Sequence, residues 1–129
     1  MSYYHSKVVH LPFDEAIERV TETLKAEGFG ILSDIDVKAT LKKKLDVDVA
    51  SYRILGACNP PFAYQALQAE DKIGTMLPCN VIVQERGANE TEISAVNPIA
   101  SMQAVDNPAL EPIAVQVREK LVRAVDAVV

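Results

Sequence analysis

The sequence lacks the motifs by which many enzymes are recognised. It contains no GxGxxG or P-loop phosphate-binding motif, no GxSxG nucleophile elbow and no CxxC pair. It has only two cysteines and two histidines, so a four-coordinate metal site would need ligands beyond the cysteine pair. No motif indicates a cofactor, and whether the chain is an enzyme stays open.

Long apolar runs and an excess of basic residues are also missing. No run approaches the ~20 apolar residues of a membrane-spanning helix, and residues 1–10, MSYYHSKVVH, do not have the basic and then apolar pattern of a signal peptide. The net charge is −5, whereas nucleic-acid-binding proteins usually carry a basic face. We therefore expect a cytoplasmic protein that binds neither membranes nor nucleic acids. The lysine cluster at 42–44 is expected to be a solvated helix face, with a docking site for an anion as the alternative.

What is present is the composition of an ordinary globular domain. Apolar residues make up 49% of the chain and charged residues 24%. A length of 129 residues suits one domain, and a domain of this size buries roughly two thirds of its unfolded surface. We therefore expect a single domain over residues 1–129, with a core that needs no disulfide bonds.

Hydrophobic periodicity predicts strands and helices in the order βαβ(α)βαββα. The first helix is expected to begin at Pro12 and to end at Gly28, and a GAN turn between the last two strands predicts a hairpin. The expected strands lie near 2–10, 28–37, 50–57, 76–86 and 90–97, and the other helices begin near Asp36, Asn59 and Asn107. Because the hairpin makes the sheet at least partly antiparallel, the pattern favours an α+β fold in which helices cover one face of a mostly antiparallel sheet.

The apolar stripes of the first and last helices are expected to form the core. The expected core residues are Phe13, Ile17, Val20, Leu24, Val117, Leu121 and Val125. In the short second helix, Val37, Leu41 and Leu45 also recur every four residues.

Two similar phrases contain the only cysteines. ILGACNPPFAYQAL at 54–67 places Cys58 before a predicted helix start, where free amides and the helix dipole favour a thiolate. GTMLPCNVIVQE at 74–85 places Cys79 at the start of a predicted strand. If the two strands involved are antiparallel neighbours, the cysteines lie close together at one edge of the sheet; a parallel crossover would separate them by roughly 15–20 Å.

The residues Cys58, Asn59, Cys79 and Asn80 are therefore the candidate site, a shared pocket with the asparagines near its rim. Three interpretations stay open. The pocket could bind a small ligand, or a metal held by Cys58 and Cys79. The two cysteines could act as a thiol-redox pair. In the third interpretation, both cysteines are inert core residues, Asn59 is a helix cap and Asn80 is an ordinary polar strand position.

The two phrases also carry a resemblance. Residues 24–67 and IGTMLPCNVIVQE at 73–85 closely resemble the family called domain of unknown function 302, and the likeness runs from about Leu11 to Ala100. The resemblance implies a compact α+β domain of the βαβ₄α, TBP-like type, which often forms dimers. A homodimer is expected on this basis, with Met76, Ile99 and Met102 as contacts. The family implies no reaction.

Overall fold

The computed structural model describes residues 2–129, and these form five strands and five α-helices. The strands are β1 (Tyr4–Val9), β2 (Gly30–Asp36), β3 (Tyr52–Cys58), β4 (Cys79–Gly87) and β5 (Glu90–Val96). The helices are α1 (Phe13–Ala26), α2 (Val37–Leu45), α3 (Pro60–Ala69), α4 (Pro98–Ser101) and α5 (Glu111–Asp126). Short 3₁₀ segments lie at Asp71–Met76, Met102–Ala104 and Pro108–Leu110.

The five strands form one sheet in the order β1-β5-β4-β3-β2, and every neighbouring pair is antiparallel. The β4–β5 hairpin is the one that the GAN turn predicts. The predicted α+β class is confirmed, because α1 and α5 pack against each other on one side of an all-antiparallel sheet. The short helix α4 and the 3₁₀ segments were not predicted, since none is long enough to show a hydrophobic period.

The helix-covered side of the sheet, called the inner face here, contains the core. Leu55, Val81 and Ala95 lie side by side across β3, β4 and β5 on this face, and all three are buried. The outer face carries alternate residues such as Ile54 and Ile82. This period-two alternation of side chains allows one face to bury apolar groups while the other meets solvent.

The buried row of α1 is displaced by one helical position from the predicted stripe. Val20 and Leu24 are fully buried as predicted, but their companion one turn earlier is Ala16, while Phe13 and Ile17 pack at the margin. The small side chain of Ala16 permits α1 to lie close to the sheet. The three expected core positions of α5 are all buried: Val117, Leu121 and Val125.

The helix α2 differs from the other long helices, because none of its residues is buried. It begins as the sequence predicts, with the Asp36 side chain accepting a 2.9 Å hydrogen bond from the amide of Ala39. Its apolar stripe nevertheless faces solvent, and Leu45 is 66% exposed. Periodicity therefore identified the helix but not a surface for it to cover.

A cavity beside the two cysteines

The inner face contains a cavity of about 310 Å³ near the end of β3 and the start of β4. The helix α3 and the following 3₁₀ segment form one side, and α5 forms the other. Four lining residues are alanines, Ala57, Ala63, Ala66 and Ala114, and a fifth is Gly74. The space exists because these short side chains stop well before the middle of the gap between the elements.

The cavity is apolar in its depth and open at one side. Phe29 and Val117 are buried lining residues, whereas Leu32 and Leu67 are 70% and 47% exposed. We take the two exposed leucines as the mouth. Among residues 2–129, no Asp, Glu, Lys, Arg or His lines the cavity, and the polar side chains that line it are Asn59 and the two thiols.

The antiparallel register places the two cysteines near each other. Ala57 pairs directly with Cys79 across β3 and β4, and Cys58 is the next residue along β3. The corresponding Cα separation is about 5–8 Å, between that of directly paired residues and that of diagonal ones. Both cysteines line the cavity, and both are free thiols. Their shared role as a site remains a prediction.

The two thiols have different environments. Cys79 is buried, and burial, followed by the nearby Cys58, raises the pKa of the Cys79 thiol from 9.0 to about 11. It is therefore a protonated thiol at neutral pH and a poor nucleophile. Cys58 is one residue beyond the direct partner of Cys79, so strand alternation gives the two cysteines opposite parity.

The start of α3 does not supply the free amides that the sequence suggested near Cys58. The first two helical residues are Pro60 and Pro61, which have no N–H group. Among the first three positions only Phe62 carries an amide donor. This helix start thus offers fewer amide donors beside Cys58 than its position alone implied.

Asn59 does not use its side chain as a helix cap. Its Nδ2 instead donates a 3.1 Å hydrogen bond to the carbonyl of Glu27, which joins the start of α3 to the end of α1. The same amide group lies against Gly28, where φ is 90° and an added Cβ would approach Nδ2 to 3.1 Å. Gly28 therefore serves both the left-handed backbone and the close approach of Asn59.

Asn80 is not at the rim of this cavity. It is exposed and lies on the outer face opposite Gly56, because it is one residue beyond the inward-facing Cys79. There it lines a shallow groove of about 450 Å³ that also contains Tyr52. The prediction that Asn59 and Asn80 lie at one rim is wrong. Asn80 follows the inward-facing Cys79 along β4, and successive residues of a strand point to opposite faces of the sheet.

The outer groove is more polar, but its charged groups are paired with each other. Glu92 receives a hydrogen bond from the Ser6 hydroxyl and another of 2.7 Å from Arg86 Nη2, and these two contacts lower the pKa of the Glu92 carboxyl. Sequence reasoning missed the groove, because its residues come from four strands with no shared motif.

Within residues 2–129, no group of three or more His, Cys, Asp or Glu side chains is arranged to hold a metal ion. His5 is instead engaged by Asp126, with 2.7 Å between Nε2 and Oδ1. Over the same residues, no helix has the length and apolar character needed to cross a membrane.

Several cavity residues could not be identified from the two phrases alone. Phe29 follows the end of α1, Met102 lies in a 3₁₀ segment, and Ala114 belongs to α5. The one available signal was the α3 sequence itself, where Ala63, Ala66 and Leu67 form a face of small and apolar residues. Met102, expected as an exposed dimer contact, is buried in the cavity lining.

Comparison with known proteins agrees with this architecture. The family model described as "Domain of unknown function DUF302" matches residues 4–128. The chain belongs to the DUF302 family. A crystal structure of an uncharacterized conserved DUF302 protein from Bacillus stearothermophilus is similar over 100% of both chains, with 30% sequence identity and a TM-score of 0.92. No curated protein matches. Membership of DUF302 thus supports the fold and leaves the activity to be argued from the cavity.

Proposed function

We propose that this chain is a small-molecule-binding protein whose ligand occupies the cavity beside Cys58, Asn59 and Cys79. The observation that carries the proposal is an open apolar cavity of about 310 Å³ beside the core of the domain. Protein interiors leave few voids larger than a water molecule, and apolar pockets of this size with a few polar groups are typical of ligand sites.

The two alternatives have less support. A thiol-redox pair is disfavoured because the raised pKa of the buried Cys79 thiol leaves it protonated at neutral pH. A metal site would need ligands beyond the two cysteines, and no group of three or more His, Cys, Asp or Glu side chains within residues 2–129 supplies them. A purely structural role for both cysteines would not account for the open space beside them. We therefore assign the cysteines a lining role and propose no catalytic residue.

The test is a thermal-shift screen of small molecules against matched variants. Ala66→Leu adds a side chain inside the cavity, whereas Gln65→Leu adds the same side chain at an exposed position of α3. Ligands that prefer the folded state raise the melting temperature. We expect hits that stabilise the wild type and Gln65→Leu but not Ala66→Leu. If Ala66→Leu does not fold, Ala63→Leu, which is only half-buried, replaces it.

A second variant separates ligand binding from thiol chemistry. The double substitution of Cys58 and Cys79 by alanine should leave the affinity of a screening hit within about threefold, because contacts to apolar walls dominate. Complete loss of binding in a folded double variant would favour a thiol or metal site. Mass spectrometry of the protein purified from its native host would then identify a molecule already bound.

We further propose that the protein is a homodimer, formed through a surface of β2, α2 and the following loop. Exposed apolar side chains of this β2–α2 surface are Ile35, Leu45 and Val47. The strand β2 lies at the edge of the sheet and pairs only with β3, so its other side is free to pair with a second strand.

Charge favours a second copy as the occupant of this surface. Residues 34–48 contain four acids and four bases, a local net charge of zero, whereas the whole chain has −5. A two-fold interface must be complementary to itself, and a balanced surface satisfies that condition.

The free cysteines are consistent with a cytoplasmic location, where thiols stay reduced.

A further inference from the structure

The lining of the cavity restricts the charge of its ligand. Eighteen of the residues that the structure describes line it, and none of these eighteen has an ionisable side chain other than the two thiols. A charged group transferred into such an environment would lose its hydration without gaining a partner, which costs several kcal/mol. The buried part of the ligand is therefore neutral.

The volume restricts its size. A dry protein cavity of about 150 Å³ accommodates benzene, which has six carbon atoms. By proportion, the cavity of about 310 Å³ holds roughly a dozen non-hydrogen atoms. This size corresponds to a two-ring aromatic molecule or to a linear chain of about ten carbons with one small substituent.

Asn59 supplies one directional contact. The residue is only 8% exposed, and its Nδ2 is already committed to the Glu27 carbonyl. Its Oδ1 accepts no hydrogen bond from any residue of 2–129, yet no fully enclosed side-chain N or O atom of these residues lacks a partner. Oδ1 is therefore accessible, and since Asn59 lines the cavity, we place this acceptor at its wall.

We propose that the ligand is a neutral, mostly apolar molecule of about ten to twelve non-hydrogen atoms that donates one hydrogen bond, from a hydroxyl or an amide N–H, to Asn59 Oδ1. This inference rests on the proposed function, because it names the class of ligand for the same cavity.

A series of linear alcohols tests size and charge. Binding of butanol, hexanol, octanol and decanol to the wild type, measured by calorimetry or ligand-observed NMR, should tighten roughly fourfold for each added methylene. The gain should stop after decanol, whose roughly eleven non-hydrogen atoms fill the cavity, so dodecanol should bind no more tightly than decanol. Decanoate and decylammonium should bind at least tenfold more weakly than decanol, because each brings a charge into a neutral site.

Removal of the ligand's donor tests the contact with Asn59. Methyl decyl ether has the same chain as decanol but no O–H group, and we expect it to bind about tenfold more weakly to the wild type. In Asn59→Ala the two probes should bind alike. The ligand comparison on the wild type stands even if loss of the Glu27 contact unfolds this variant.

The outcomes separate the two levels of inference. If decanoate or decylammonium binds as tightly as decanol, or the ether equals the alcohol in the wild type, the ligand class is wrong while the cavity remains a binding site. If no probe of the series and no compound of the wider screen distinguishes Gln65→Leu from Ala66→Leu, the proposed function itself is wrong.

Discussion

The helices α1 and α2 both carry apolar side chains spaced by about four residues, but of these two stripes only that of α1 is covered. Ala16, Val20 and Leu24 of α1 are fully buried against the sheet and α5. In α2 no residue is buried, and its main contact is with β3 near the edge of the sheet. The difference shows that spacing defines an apolar face, whereas burial depends on whether another element lies opposite it.

The comparison extends to the strands. The strands β4 and β5 lie under α1 and have buried inner residues, whereas β2 is the strand most exposed to solvent. The region formed by α1, α5, β4 and β5, called the covered region here, therefore contributes most of the hydrophobic stability. The β2–α2 surface is available for association. The four predictions below test this division, from the largest expected effect to the smallest.

The largest contrast is expected between leucines in the two helical stripes. Leu24→Ala should lower the free energy of unfolding by about 2–5 kcal/mol, because it leaves a cavity in a closed core. Leu45→Ala, at an exposed position, should change it by less than about 0.5 kcal/mol at concentrations where the chain is monomeric. Urea denaturation of both variants measures the difference, and equal losses would show that α2 belongs to the cooperative core.

The second contrast is between the buried and the half-buried cysteine in alkaline solution. The pKa of Cys79 is about 11 in the folded state and 9.0 unperturbed, so the folded state retains a proton that the unfolded state loses. The protonated Cys79 thiol therefore makes its full contribution to the free energy of unfolding below about pH 9, and this contribution is lost as pH rises through the folded pKa. We expect a decrease of about 1–3 kcal/mol between about pH 8 and pH 11.

Urea denaturation at several pH values in Cys79→Ala and Cys58→Ala isolates this effect from other alkaline titrations. The decrease in stability should be smaller by that amount in Cys79→Ala. It should be only slightly smaller in Cys58→Ala, because burial, the larger of the two causes of the raised Cys79 pKa, remains in that variant. If the free energy of unfolding depends on pH equally in the wild type, Cys79→Ala and Cys58→Ala, the Cys79 thiol is not shielded from water in the folded state.

The sequence predicted the covered region better than the cavity. The positions of the strands and of α1 and α5 follow from local periodicity, which records the side of each element that is buried. The cavity depends on what is missing between elements, as at Ala66 and Ala114, and a gap has no local pattern. The side chain of Asn59 was also not predictable, because its partner at Glu27 lies 32 residues away.

The third prediction concerns the proposed dimer. Leu45→Asp should weaken association at least tenfold, because it places a charge in the apolar part of the β2–α2 surface. The control is Tyr64→Asp, which changes a residue of similar exposure outside that surface and should leave association unchanged. Light scattering across a concentration series measures both. A wild-type chain that stays monomeric at micromolar concentration would contradict the proposal.

The smallest effect is expected at the ion pair between Asp34 of β2 and Arg53 of the neighbouring strand β3. Arg53 donates to both carboxylate oxygens of Asp34, from Nε at 2.8 Å and from Nη2 at 2.6 Å. The hydrogen bond from Arg53 is the main cause that lowers the pKa of Asp34 below 3.8. Because both side chains are partly exposed, solvent screening limits the contribution to at most about 1 kcal/mol.

The sign of the pH dependence makes the test specific. Since the folded pKa of Asp34 is lowered, the stabilisation is present above about pH 4 and is lost as pH falls through the folded value. Arg53→Gln should therefore be less stable than the wild type by up to about 1 kcal/mol at neutral pH and equally stable in strong acid, where Asp34 is protonated. Arg19→Gln, which removes an exposed ion pair with Glu15 on α1, is the matched control and should lose less than half as much. A loss above about 3 kcal/mol in Arg53→Gln would show that β2 is held mainly by this ion pair rather than by its ladder with β3.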